Sequence, residues 1–100
     1  MYIEKLKNQV QSLSSFLEEF KDDKRIIEMQ LYGKKFCVPR YFAFNTKNKL
    51  YNELCLLLYE LDIVFCKGIY KIKNADNISY KRRYVIFIPD IDFTNYIEGY

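Results

Sequence analysis

The stretch "PRYFAF", Pro39 to Phe44, decides the fold. Proline fixes φ and carries no N–H, so Pro39 blocks continuation of a strand and suits the first position of a helix. Read that way, PRYFAF forms one or two helical turns. Just upstream, in "RIIEMQLYGKKFCV", Ile27, Met29 and Leu31 alternate with polar neighbours, as do Phe36 and Val38 after the turn "YGKK". That alternation predicts a short hairpin or two short strands. Just downstream, "NTKNKLYNELCLLLYEL" predicts a helix capped by Asn45 or Thr46. Leu50, Leu54, Leu57 and Leu61 mark its main apolar face, and Tyr51, Cys55 and Leu58 widen it. Its solvent-facing positions gather at the start, at Lys47, Asn48, Lys49 and Asn52.

Further out, residues 2–21 also read as a helix. Ile3, Leu6, Val10, Leu13, Leu17 and Phe20 recur at three- or four-residue steps and make one apolar stripe. "KDDKR" ends it. Such a stripe belongs in a core, and it could also pair two copies of the chain into a homodimer. Beyond Asp62 the period switches to two. "IVFCKGIYKIK" and "ISYKRRYVIFI" flank the turn-forming "NADN", which predicts a β-hairpin. Pairing Lys73 with Ile78 sets Lys71 opposite Tyr80, Ile69 opposite Arg82 and Lys67 opposite Tyr84. The base of this hairpin is then apolar and its tip both cationic and aromatic. In the tail "DFTNYIEGY", Phe93, Tyr96 and Ile97 are expected to pack back onto the body.

Composition excludes several classes. One hundred residues, half of them apolar, with three Gly and two Pro, make a single globular domain spanning 1–100. The start is charged and amphipathic rather than leader-like, and the longest apolar run, "LCLLLY", is far too short to cross a bilayer. The expectation is a cytoplasmic protein without a membrane partner. Cys37, Cys55 and Cys66 form no CxxC pair and no His is present, so no metal site or other cofactor is expected. The cysteines read as small apolar core residues of a reducing compartment, with a disulfide as the alternative. Without His, a Cys–His or Ser–His pair is impossible, and no phosphate-cradling Gly-rich motif occurs. Asp90 and Asp92 could share a strand face and hold a metal, but the fuller acidic set of a nuclease is not evident. The chain is therefore expected not to be an enzyme. Lys, Asn, Ile and Tyr supply 40 of the 100 residues, a bias toward A/T-rich codons that suits a phage or another mobile element.

The net charge of +3 is unevenly placed. Lys67, Lys71, Lys73, Lys81, Arg82 and Arg83 face one acid, Asp76, within residues 67–84, so this segment carries +5 and the rest of the chain −2. Lys and Arg neutralise phosphates, and exposed aromatics stack on unpaired bases. The hairpin interleaves both types. Tyr80, Arg82 and Tyr84 share one face with Lys67 and Lys71 across from them, and Lys81 and Arg83 share the other face with Tyr70. The same residues would also suit a solvated hairpin whose lysines discourage edge-to-edge aggregation.

The order helix, short strand, short helix, longer helix, basic hairpin resembles a winged helix-turn-helix domain. "PRYFAF", "NTKN" and "KLYNELCLLLYEL" would be the helix-turn-helix, and residues 63–88 the wing. "KKFCVPRYF", the leucine-rich helix and the Tyr80–Tyr84 end of the hairpin also resemble small winged-helix proteins of bacterial cassette-type mobile elements, some of which prefer single-stranded DNA. The resemblance implies an α+β fold and a nucleic-acid ligand, with Arg40, Lys47 and Lys49 extending the hairpin's track. The competing architecture is a two-layer αββαββ sandwich with a four-stranded antiparallel sheet and two helices on one face. The function expected is non-enzymatic binding of single-stranded DNA. Phosphate contacts fall to Lys67, Lys71, Lys73, Lys81, Arg82 and Arg83, and base stacking to Tyr70, Tyr80 and Tyr84. The rival is a protein-interaction module, such as an accessory subunit of a replication enzyme or an inhibitor of a host defence complex. Ten Tyr and eight Phe are many for a core this small.

Overall fold

The computed structural model describes residues 2–32 and 38–89, and side chains from Glu4 onward. The elements run αββαββ: α1 (Tyr2–Phe20), β1 (Ile26–Leu31), β2 (Pro39–Phe44), α2 (Lys49–Glu60), β3 (Cys66–Lys73) and β4 (Tyr80–Phe87). The strands form one antiparallel sheet in the order β1-β2-β4-β3. Leu6, Val10, Leu13 and Phe16 of α1 and Leu50, Leu54 and Leu58 of α2 close a buried cluster over Phe42, Phe44 and Ile86 of the sheet. Both helices therefore cover the same sheet face. This α+β arrangement is the two-layer sandwich, the second of the two architectures the sequence allowed.

PRYFAF is a strand, not a helix, which corrects the reading of that segment. Pro39 stands at the first position of β2, opposite Leu31, where a missing N–H disrupts the ladder least. The residues behind it alternate. Phe42 and Phe44 enter the core, while Tyr41 and Ala43 belong to the other face. Aromatic residues fit such a half-buried pleated surface better than a short exposed helix. β2 is consequently an interior strand between β1 and β4, and the segment required as a helix by a helix-turn-helix is occupied otherwise. The strand expected over Phe36–Val38 falls mostly outside the described residues. Val38 precedes β2 with its carbonyl accepting from Tyr32 N at 2.9 Å.

α2 begins later than expected, because Asn48 rather than Asn45 or Thr46 caps it. Its side-chain oxygen accepts from Tyr51 N at 2.9 Å, satisfying an N–H that the helix leaves unpaired. At the other end the chain turns through Asp62 in the left-handed region (φ 55°). Ile63 N donates to Leu58 O at 3.0 Å and Asp62 N to Tyr59 O at 3.1 Å. That pair of bonds is a Schellman stop, here with Asp in the place usually held by Gly. Buried Ile63 and Leu58 supply the apolar contact that accompanies it. The Asp62 carboxylate pairs with Lys5, tying this turn to α1. The exposed positions of α2 are not confined to its start, since Leu56 and Tyr59 are more than half exposed.

The β3–β4 hairpin is slipped by two residues from the expected register: Lys73 pairs with Tyr80, Lys71 with Arg82, Ile69 with Tyr84 and Lys67 with Ile86. The connection is six residues, Asn74–Ser79, rather than the tetrad NADN. Asp76 lengthens it. Its carboxylate accepts from Ile78 N at 2.9 Å and Ser79 N at 3.1 Å, and from Ser79 Oγ at 2.8 Å, so Ile78 and Ser79 are held in the loop. Asn77 takes the positive φ (60°) that the turn needs. A slip of two preserves which face each side chain uses. Of the cysteines, Cys55 is buried as expected and Cys66 is exposed, against expectation; both are free thiols. Cys66 opens β3 at the sheet edge, opposite Phe87, on the face that neither described helix covers. Cys37, the Asp90–Asp92 pair and the tail residues Phe93, Tyr96 and Ile97 lie outside the described residues.

Candidate nucleic-acid interface

β2 reaches only half of β4. Tyr41–Phe44 pair with Tyr84–Phe87, and among the described residues no third strand flanks Tyr80–Arg83. The last four residue pairs of the hairpin, Tyr70–Arg83 through Lys73–Tyr80, therefore extend past the sheet as a two-stranded ribbon about 13 Å long, with the loop beyond. A ribbon of two strands is marginal alone. This one is anchored by its base, where Ile86 and Ile88 are fully buried.

The two faces of the whole β3–β4 hairpin differ. One continues the helix-covered face of the sheet and carries Lys67, Ile69, Lys71 and Lys73 from β3, with Tyr84, Arg82 and Tyr80 opposite. Lys71 stands directly across from Arg82, with Lys73 two residues farther out. The loop before α2 adds Lys47, whose Nζ lies 5.8 Å from the centroid of the half-buried Tyr84 ring. Lys47, Tyr51, Lys67, Gly68 and Ile69 together line a small cleft where the ribbon leaves the body. Buried Cys55, four residues along α2 from Tyr51, feels two of these cations. Burial pushes its thiol pKa up, and Lys67 and Lys47 pull in the opposite direction.

On the other face Lys81 is exposed and Arg83 half-buried. Tyr70, opposite Arg83, exchanges a hydrogen bond with Tyr41 at 3.0 Å between hydroxyl oxygens. The link crosses the sheet diagonally at the level of Ala43, Val85 and Gly68, the small and medium residues of this face. Burial, then the bond to Tyr70, drives the Tyr41 pKa well above the ordinary phenol value, and the charge of Glu28 adds to the shift. Tyr70 keeps 37% exposure against 56% for Tyr80.

Among the described residues, Lys67, Lys71, Lys73, Lys81, Arg82 and Arg83 make no ion pair. Ion pairs form elsewhere, among them Lys5–Asp62, Lys21–Glu18 at 3.1 Å, Arg25–Asp23 at 2.7 Å and Lys49–Glu53 at 3.9 Å. Asp76, the acid nearest the ribbon in sequence, is engaged by its own loop. Lys47 thus joins the hairpin cations, whereas Lys49 turns along α2 to Glu53. Arg40 is not brought to them. Its carbonyl accepts from Ile88 N at 2.8 Å, and its guanidinium lies 5.5 Å from the Tyr32 ring centroid and 5.1 Å from that of Phe87. That is the base of the sheet, about 26 Å along β4 from Tyr80.

The chain matches no family model, no curated protein and no solved structure. Its chemistry must be read from the site. No group of three or more His, Cys, Asp or Glu side chains gathers to hold a metal among the described residues, and no described helix is long and apolar enough to cross a membrane. Sequence reasoning did not find the Lys71–Arg82 apposition or the Tyr41–Tyr70 link. Both depend on register, and the Asp76-capped loop that sets it is legible only as Asp and Ser three residues apart.

Proposed function

We propose that this protein binds single-stranded nucleic acid, DNA in the first place, without catalysing a reaction. One observation carries the reading: Lys71 faces Arg82 across a ribbon that projects past the sheet, with Lys73 and Lys67 on the same face and no described carboxylate paired to any of them. Like charges directly opposite each other destabilise a sheet. Protection of an exposed strand accounts for scattered lysines; it gives no reason to set two cations face to face. A polyanion relieves their repulsion and releases its own counterions in doing so. Tyr80, more than half exposed beside them, offers a ring to an unpaired base. The A/T-codon bias fits a phage or mobile element as the source, where exposed single strands are common.

The test is fluorescence anisotropy with a labelled oligothymidylate and a duplex of the same length, over a salt series. Expected is tighter binding of the single strand, with log K falling linearly as log salt rises. The double change Lys71→Ala with Arg82→Ala should flatten that slope by about 1.4, the loss of two single-strand phosphate contacts. Absent binding at low salt, or an unchanged slope, would overturn the reading.

A second reading rests on another surface. Leu56 and Tyr59 of α2 and Val64 beyond it are each more than half exposed, and the Tyr59 ring packs edge-on to Phe65 at 5.0 Å. Such a patch favours a protein-interaction module. Changing Leu56 and Tyr59 to Lys should then abolish capture of a protein partner from the source cell while leaving oligonucleotide binding intact.

A further inference from the structure

Resting on the nucleic-acid reading, we propose that the single strand is held on one face of the ribbon only, the face continuous with the helix-covered side of the sheet. The hairpin's cations could in principle serve either side, since strand side chains alternate. They are not divided evenly. Lys67, Lys71, Lys73 and Arg82 share the helix-side face, and Lys47 joins them from the loop before α2. The opposite face has Lys81 and a half-buried Arg83. It also carries Glu28 on β1, an acid whose charge is felt at Tyr41. A phosphate chain following the ribbon inward meets the Lys47–Lys67 cleft on the first face and approaches a carboxylate on the second.

The aromatics divide in the same way. Tyr70 is on the open face with its hydroxyl bonded to Tyr41, which makes it part of that face's scaffold. On the helix side, Lys47 covers the half-buried ring of Tyr84, leaving Tyr80 as the open ring. The strand would therefore run from a stacking contact at Tyr80, past the Lys71–Arg82 pair, to phosphate contacts at Lys47 and Lys67. Lys47 and Tyr51 from around the α2 start and Lys67–Ile69 of β3 line a small cleft along this path. It suits a single backbone with splayed bases better than a closed duplex, whose bases offer nothing to Tyr80.

Two charge-matched double variants separate the faces. Lys71→Glu with Arg82→Glu alters the helix side; Lys81→Glu with Arg83→Glu alters the open side by the same net charge. Oligothymidylate affinity at fixed moderate salt should fall by on the order of a hundredfold in the first and by less than about fivefold in the second. Lys47→Glu, in a loop outside the sheet, should lower affinity about tenfold, and it keeps the test decisive if a ribbon variant does not fold. Equal losses in the two double variants, or an unaffected Lys47 variant, would overturn the face assignment while the nucleic-acid reading stands. Failure of the unaltered protein to bind would remove both.

Discussion

Asp76 is the acid on which the hairpin's geometry turns. Its carboxylate accepts from two backbone N–H groups and the Ser79 hydroxyl, and the bonds to Ile78 and then Ser79 draw its pKa below 3.8. A carboxyl whose pKa is lower folded than unfolded contributes stability that is complete above the unfolded value. The contribution is lost as pH falls through the folded value. The loop should therefore hold at neutral pH and begin to fray below about pH 3.8. Asp76→Ala should reproduce that fraying at pH 7. Amide exchange would quicken at Ile78, Ser79 and the Lys73–Tyr80 end of the ribbon, with Phe42 and Ile86 still protected. Unchanged exchange at the tip would mean that Asn74 and Ser79 hold the loop without Asp76. This residue also marks where the sequence stopped being legible. NADN reads as a tight turn, and only the reach of the Asp76 side chain to residues 78 and 79 shows that two more residues belong to it. The error was an even number of residues, so the face of every side chain was still right.

At the scale of elements, the two helices were legible because each carries an apolar stripe of period 3.6 that nothing else explains. β2 was not. Its single proline drew the reading toward a helix start, although the same residue is tolerated as the first of a strand. What decides the matter is burial: Phe42 and Phe44 are wholly enclosed beneath both helices, with Phe16 edge-on to Phe42 at 5.9 Å. Their spacing of two is strand spacing. A direct measure of β2 as an interior strand is Phe42→Ala, which should lower unfolding stability by about 3–5 kcal/mol. That is a large share of the roughly 5–15 kcal/mol a domain has. Ile27→Ala, at the bulged outer strand β1, should lose under about 1 kcal/mol in the same urea titration, its side chain being already partly in water. Similar losses at both positions would contradict the order of strands.

For the whole molecule, the segregation of charge was fully legible, since it needs only counting along the chain. Its consequence required the fold. In the described structure the +5 segment is one hairpin whose cations lack ion-pair partners, so they repel one another in the free protein. Salt screens that repulsion, the Debye length shrinking from about 30 Å at 0.01 M to about 8 Å at 0.15 M. Salt also weakens any hold on a phosphate chain, through the counterions the chain reclaims. The two effects have opposite signs. Adding potassium chloride over that range should raise the melting temperature of the free protein by a few degrees while its affinity for oligothymidylate falls. Lys71→Ala with Arg82→Ala should melt higher than the unaltered protein at 0.01 M salt and show a flatter rise, because the closest repulsion is gone. A site maintained for binding against a cost in folding predicts this trade. A merely solvated hairpin, its cations already at ease with water, predicts a melting temperature indifferent to both salt and the double change.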